Sequence, residues 1–307
     1  MTRQTFSKPA LSLDAQIVRL RQKGMNIADE ERAKAALRDV SYYRMSAYWL
    51  PFEYPKAQQT RDLCFRPGTD FATVSALHDF DRDLRRRTSE AIEVVEIALR
   101  GNWALRMAEL GSGHAYLDAR HYRDQGKFEE NLRRLKDEVR KSKETFIEHY
   151  RRTYAPEVPP VWMASEVLSF GSLSHWYANL KDRALRQAIA DPFGLDERVF
   201  KTYIHHLTVV RNTCAHHSRL WNRHFKVPLL LPRRPANLAA SLNPAHPRQL
   251  YNTLAMLAFS LKQLKTLDNW PIRLSLQLRS LPHGDLGQLG FPANYTELPV
   301  WDGVLKP

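Results

Sequence analysis

The chain has 307 residues, of which 43% are hydrophobic and 26% charged, and its formal net charge is +13. This composition is typical of a globular protein with its own core, and it excludes disordered, collagen-like and disulfide-stapled miniature proteins. The longest stretch without Asp, Glu, Lys or Arg is Val167 to Leu180. It is shorter than the roughly 20 apolar residues that cross a membrane, so we expect no transmembrane helix and no membrane partner.

The N-terminal residues lack the apolar core of a secretory signal, which predicts a cytoplasmic protein. Cys64 and Cys214 are the two cysteines, a number that fits a reducing compartment and excludes a four-cysteine zinc site. The positive charge favours an anionic partner, nucleic acid above all, over a basic surface that binds nothing. We expect no cofactor.

Only 12 residues are glycine, and apolar positions recur every three or four residues, which predicts an all-α protein. The first helix is expected from Leu13 to Lys23 and the second from Glu30 to Arg38. An aromatic run, Ser41 to Phe52, follows. A cap signal at Thr69 or Asp70 then begins a helix that continues to about Leu110.

The segment from Lys127 to Arg152 alternates charges of both signs and is typical of a solvated helix, with a basic nucleic-acid surface as the alternative. An aromatic stretch with a break near Gly171 predicts a buried helix. Another helix is expected from Asp196 through Arg223. A last one begins near Asn243 and carries leucines spaced for packing on the core or on a second subunit, at Leu250, Leu254, Leu257, Leu261 and Leu264.

These elements predict three segments along the chain. Residues 1–66 form an N-terminal helical segment, residues 67–268 the main helical domain, and residues 269–307 a tail that wraps over it. The tail is expected to be irregular because it is rich in Pro, Gly and short apolar stretches.

The helix expected through Arg223 contains the strongest candidates for chemistry. Steps of about 100° per residue place His216, Arg219 and Arg223 within about 40° of Asn212, on one polar stripe. The opposite face is apolar and includes Cys214. This pattern predicts that the polar face carries the function and that the apolar face packs in the core.

Arg211 lies about 140° around the helix from His216 and about 7.5 Å along it, so the two side chains would meet only around a ligand. Arginine suits a phosphate, histidine transfers protons near neutral pH, and asparagine can orient either. RNA cleavage through the 2′-hydroxyl needs these functions and no metal. The alternative is a helix whose Arg and His only satisfy neighbouring polar groups.

Metal and thiol chemistry are weaker hypotheses. His205 and His216 share a helix face, but an axial separation of about 16 Å is too large for one ion with bonds of ~2 Å. Cys214 falls on the apolar face, where it is expected to be a small buried hydrophobe rather than a nucleophile. We expect no metal site.

Three charged residues on the long helix form a second cluster, Glu93, Glu96 and Arg100. They are either a surface ion-pair network or a support that orients Arg211 or His216. The aromatic side chains of the run from Ser41 to Phe52 either stack on RNA bases or pack in the core.

The stretch from Arg211 to Arg223, RNTCAHHSRLWNR, resembles the signature of AbiF/AbiD-type abortive-infection proteins, a branch of the HEPN superfamily. Lys8 to Leu11, Ser41 to Phe52 and Leu289 to Trp301 resemble the start, the aromatic run and the end of the same family. The resemblance implies a four-helix HEPN core with additional N-terminal helices. It also implies a metal-independent endoribonuclease in anti-phage defence, active as a homodimer with a composite site.

By this resemblance, Arg211 contacts the scissile phosphate, His216 transfers the proton and Asn212 orients both. The residues assigned to RNA contact or support are His217, Arg219, Asn222, Arg223, Glu93, Glu96 and Arg100. The implied partners are substrate RNA, a small non-coding RNA and an antitoxin. Two alternatives stay open: a non-catalytic RNA-binding protein, and a dimer that binds a protein antitoxin through its leucines.

Overall fold

The computed structural model describes residues 9–60, 64–267 and 269–302. Lys8 and the N-terminal residues used to predict the absence of a signal lie outside these ranges. The described residues form 13 α-helices joined by loops and short 3₁₀ turns, and they contain no β-strand. The predicted all-α fold class is confirmed.

The helices are α1 (Leu13–Gln22), α2 (Glu30–Val40), α3 (Tyr42–Trp49), α4 (Phe71–Ala108), α5 (Gln125–Lys141), α6 (Thr145–Thr153), α7 (Val161–Val167), α8 (Phe170–Asn179), α9 (Arg183–Ala190), α10 (Glu197–Ala215), α11 (Ala236–Ala240), α12 (Leu250–Gln263) and α13 (Trp270–Arg279). Among the described helices, none is both long and apolar enough to cross a membrane.

The chain divides into two compact units, and the boundary falls within α4. Of the described residues, the first unit comprises 9–60, 64–83 and 280–284, and the second comprises 84–267, 269–279 and 285–302. The division into three segments at residues 66 and 268 stays a prediction.

In the first unit, short helices begin at side-chain caps and bury an aromatic core. The Ser12 hydroxyl accepts a hydrogen bond from the Ala15 amide at the start of α1, which satisfies one of the free amides of a helix N-terminus. The Tyr48 hydroxyl donates to the buried Asp81 carboxylate at 2.6 Å. Trp49 packs edge-on against Phe65. Tyr48 and Trp49 are therefore core residues of this unit.

The second unit is organised around α8, which packs against α5 on one side and α10 on the other. Its Trp176 is 1% exposed and contacts four aromatic rings from other elements, namely Trp103, Tyr116, Tyr122 and Phe128. Side chains of this size bury large apolar areas, so the cluster is a main source of stability for the unit.

Several predicted boundaries were wrong. The mixed-charge segment forms two helices, α5 and α6, separated by residues 142–144. Helix α10 ends at Ala215, eight residues before the predicted end at Arg223. Three further helices were not predicted: α3, which lies in the aromatic run, α9 and the five-residue α11.

The C-terminal part also differs from expectation. Helix α12 begins at Leu250 rather than Asn243, and every residue from Leu250 to Leu261 is buried. Four of the five predicted leucines, from Leu250 to Leu261, therefore pack in the core of the second unit, whereas Leu264 follows the helix and is half-buried. The expected irregular tail begins instead with a helix, α13, before it continues as 3₁₀ turns and loops.

Candidate functional site

Helix α10 carries Arg211 and Asn212 in its last turns and is fixed at both ends. At its start, the Asp196 carboxylate accepts a hydrogen bond from the Arg198 amide at 2.9 Å. At its end, the His217 amide donates to the Cys214 carbonyl and the Ser218 amide to the Thr213 carbonyl, both at 2.9 Å. This pair of bonds defines a Schellman motif, the usual way to close a helix.

His217 occupies the left-handed position of that motif, with φ of 55°. Glycine is the usual residue there because it has no Cβ to oppose a positive φ. The chain therefore turns away from the helix axis at His217. Arg219, Trp221 and Arg223 do not continue the helix, and the predicted four-residue polar stripe is wrong beyond His216.

The middle of α10 is held by a buried histidine. His206 is 1% exposed, and its Nδ1 donates to the Val227 carbonyl at 2.7 Å. Its Nε2 then accepts from the Thr253 hydroxyl of α12 at 2.8 Å. Burial lowers the pKa of His206 to about 4, so the ring stays neutral and keeps both bonds at neutral pH.

The three residues predicted to be catalytic lie together at the exposed end of α10. Arg211, Asn212 and His216 are all exposed. His216 caps the helix, and its amide donates to the Asn212 carbonyl at 3.0 Å. Arg211 Nη1 approaches Asn212 Oδ1 at 3.5 Å. One helix end thus presents a guanidinium, an amide and an imidazole to solvent.

Glu96 of α4 lies near Arg211 at this helix end and also forms an ion pair with Arg100. The Glu96–Arg100 pair is more deeply buried than Arg211. Glu96 Oε2 lies 3.9 Å from Arg211 Nε, while Glu96 Oε1 accepts from Arg100. The side chains of Glu96 and Arg100 are each 13% exposed, whereas that of Arg211 is 48% exposed. The Glu96 carboxylate therefore lies beside one edge of the Arg211 guanidinium as a long ion pair, without a hydrogen bond, and the Arg211 side chain stays 48% exposed.

Arg100 is fixed in turn by the C-terminal end of α7. Its Nη1 donates to the carbonyls of Ser165 and Leu168, the latter at 2.7 Å. Carbonyls at a helix end have no partner within the helix and carry partial negative charge, so a guanidinium is well placed there. Arg100 thus links α4, α7 and, through Glu96, α10.

Among the described residues, three other predicted supporting residues form no hydrogen bond or ion pair with Arg211, Glu96 or Arg100, namely Glu93, Asn222 and Arg223. Glu93 is exposed on α4 and makes no ion pair with another described residue. Asn222 lies in a turn with φ of 49°. Arg223 donates to the Arg219 carbonyl at 3.2 Å and lies 5.9 Å from the centre of the Phe225 ring, a cation–π contact.

The remaining candidates separate into buried and exposed groups. Cys214 is 5% exposed and lies in the core. Tyr43 is 89% exposed, unlike Tyr48 and Trp49. Among the residues that the structure describes, no group of three or more His, Cys, Asp or Glu side chains is arranged to hold a metal ion.

Sequence reasoning missed the acceptors of Arg100 and the left-handed turn at His217. Every residue has a backbone carbonyl, so the residue type does not show which carbonyl will accept a hydrogen bond. No sequence signal therefore pointed to Ser165 or Leu168. The turn lacked the glycine that usually marks it.

The fold and this site define an all-α protein with a basic helix end supported by a carboxylate. A family model described as Abi-like protein matches residues 35–222, more than half of the chain. The chain belongs to this family, which confirms the Abi part of the predicted resemblance and suggests a role in abortive-infection defence. No curated protein and no solved structure matches the chain.

Proposed function

We propose that this protein is an endoribonuclease of abortive-infection defence, with its active site at the end of α10. The proposal is supported above all by Arg211, which lies 3.9 Å from the Glu96 carboxylate in a long ion pair while its side chain stays 48% exposed. An arginine placed in this way can bind a phosphate oxygen without first breaking a strong internal bond.

The proposed reaction cuts RNA without a metal. The 2′-oxygen attacks the adjacent phosphorus, its proton passes to a base, and the 5′-oxygen leaves with a proton from an acid. The products are a 2′,3′-cyclic phosphate and a 5′-hydroxyl. Arg211 stabilises charge on the phosphate, Asn212 orients the groups, and His216 transfers the proton.

A homodimer fits this chemistry because base and acid act on opposite sides of the phosphate. One His216 cannot accept and donate a proton in the same step, but two copies of the chain bring two imidazoles. The HEPN type of composite site, in which each protomer supplies an Arg and a His, is therefore part of the proposal. Light scattering at micromolar concentration tests it, and a monomer would count against it.

The experiment compares three proteins on a labelled single-stranded RNA and on total RNA, with EDTA present. Wild type and His149→Ala, which changes an exposed histidine of α6, are expected to yield cyclic phosphate ends. His216→Ala is expected to lose cleavage while it keeps its helical spectrum and its RNA affinity. Unchanged cleavage by a folded His216→Ala protein, or 3′-hydroxyl ends, would refute the mechanism.

A non-catalytic RNA-binding protein is the second candidate, favoured by the net charge of +13. It predicts RNA binding without cleavage by the wild type. Salt dependence then identifies the contacts, because each phosphate neutralised by a cation steepens the fall of affinity with salt. Charge reversal at Arg219 and Arg223 is expected to flatten that slope if these residues bind RNA. A small non-coding RNA and an antitoxin are the other partners that the resemblance implies. Both are compatible with either candidate function.

A further inference from the structure

A pocket of about 760 Å³ lies between α5, α8 and α10, closed on one side by Val227 and Pro228. Pockets that bind small molecules usually measure about 300–1,000 Å³. A lone phosphate ion would fill only part of this volume. The volume therefore fits an organic molecule. The side chains that line the pocket indicate its chemical class.

The lining is strongly basic. It contains four permanent cations and one carboxylate, Glu130, and the cations are Arg123, Lys127, Arg134 and Lys201. Glu130 accepts from Arg134 at 2.7 Å, and Asp124 pairs with Lys127 at 3.2 Å. Lys201 makes no ion pair with any other residue in the described part of the chain. The pocket therefore has positive charge that the protein itself does not neutralise.

A buried amide in the wall points to the same kind of ligand. Asn131 is 6% exposed, and its Nδ2 has no hydrogen-bond partner among the described residues. A buried amide without a partner costs about 1–3 kcal/mol, so such groups usually mark a missing bond. Since Asn131 Nδ2 has no acceptor to lose, a rotation of the amide that brings it to an oxygen of a ligand breaks no hydrogen bond of this nitrogen.

Two imidazoles line one part of the pocket. His175 of α8 and His205 of α10 have ring centres 6.0 Å apart and ring planes inclined by 51°. Burial, the neighbouring His205 and the cations Arg134 and Lys127 all lower the pKa of His175, which is therefore neutral at neutral pH. Neutral aromatic rings stack on nucleobases, and Ala178, Val227 and Pro228 add apolar surface.

We propose that this pocket binds a nucleoside phosphate, with its phosphates held by the cations and Asn131 and its base held by the imidazoles and apolar side chains. This site is separate from the proposed active site and does not depend on it. His205 and Asn212 share a face of α10 but lie seven residues, and therefore about 10.5 Å, apart along the axis.

The test is calorimetric titration of the full chain with AMP, ADP, adenosine, inorganic phosphate and a single-stranded RNA oligonucleotide. We expect AMP or ADP to bind with Kd below about 1 mM, and adenosine and phosphate each at least about tenfold more weakly. Lys201→Glu and Asn131→Leu are each expected to weaken nucleotide binding at least about tenfold. Lys262→Glu, which changes an exposed lysine of α12 outside the pocket, is the matched control.

Three results would overturn the proposal. The first is no heat from either nucleotide at millimolar concentration. The second is equal binding by the Lys201→Glu and Lys262→Glu proteins, once circular dichroism shows that both are folded. The third is a loss of affinity for the RNA oligonucleotide alone in Lys201→Glu, which would assign the pocket to an RNA backbone instead. RNA cleavage is not a readout in this test, so its outcome is independent of the proposed nuclease activity.

Discussion

Replacement of Arg100 by methionine should weaken the second unit strongly, because the guanidinium joins three helices. The change keeps an unbranched apolar stem but removes the guanidinium, and with it the donors to Ser165 and Leu168 and the partner of Glu96. The loss of one partner of a fully buried ion pair costs about 3–5 kcal/mol. Arg100 and Glu96 are each 13% exposed, and Arg211 stays near Glu96, so we expect the lower end, about 3 kcal/mol.

Thermal unfolding measures this effect. For a unit of this size, about 3 kcal/mol lowers Tm by about 6–12 °C. The control is Arg106→Met on the same helix, where the ion pair with Glu109 spans 3.0 Å between side chains that are 36% and 50% exposed. Such exposed pairs contribute about 0–1 kcal/mol. Equal changes of Tm in the two variants would refute the structural role assigned to Arg100.

Three further predictions concern the helix end, the buried histidine and the support of Arg211. His217→Val should be about 1–2 kcal/mol less stable than His217→Gly in thermal unfolding, because a β-branched residue opposes a positive φ and glycine does not. His206 has a pKa of about 4 in the folded chain against 6.5 when free, so the unfolded state binds its proton first as the pH falls. Stability should decrease by about 3 kcal/mol as the pH falls from about 6.5 to about 4, and His206→Gln should lose this dependence. Glu96→Gln should lower kcat for RNA cleavage about two- to fivefold by loosening Arg211, whereas Glu93→Gln should leave it unchanged.

Each of these predictions has an outcome that contradicts it. Equal Tm values for His217→Val and His217→Gly would show that the turn does not depend on residue type. A pH profile that His206→Gln leaves unaltered would assign the acid sensitivity to other groups. Equal rates for Glu96→Gln and Glu93→Gln would remove Glu96 from the support of Arg211.

The sequence predicted α1, α2 and α4 well because their signals are local. Ser12 and Asp29 cap α1 and α2, and Asp70, a predicted cap, accepts from the Ala72 amide at 2.7 Å. Gly111 follows the end of α4 closely, as expected of a helix terminator. Helix caps, apolar spacing and terminal glycines involve residues that are close together in the chain, so they can be recognised from the sequence.

Other elements were missed because their signals were absent or ambiguous. The end of α10 rests on a left-handed His217 rather than a glycine. Helix α13 was missed because Pro271 suggested irregular structure. A proline in the first turn of a helix is tolerated, since the amide that it lacks has no acceptor within the helix.

The sequence by itself determined the all-α class, the Abi-type resemblance and the identity of Arg211, Asn212 and His216 as candidates. The tertiary structure alone decided that Glu96 approaches Arg211, that Arg100 binds carbonyls of α7, and that the leucines of α12 are buried. Helix formation depends on neighbouring residues, whereas these contacts join residues far apart in the chain. Their positions follow only from the packing of the helices.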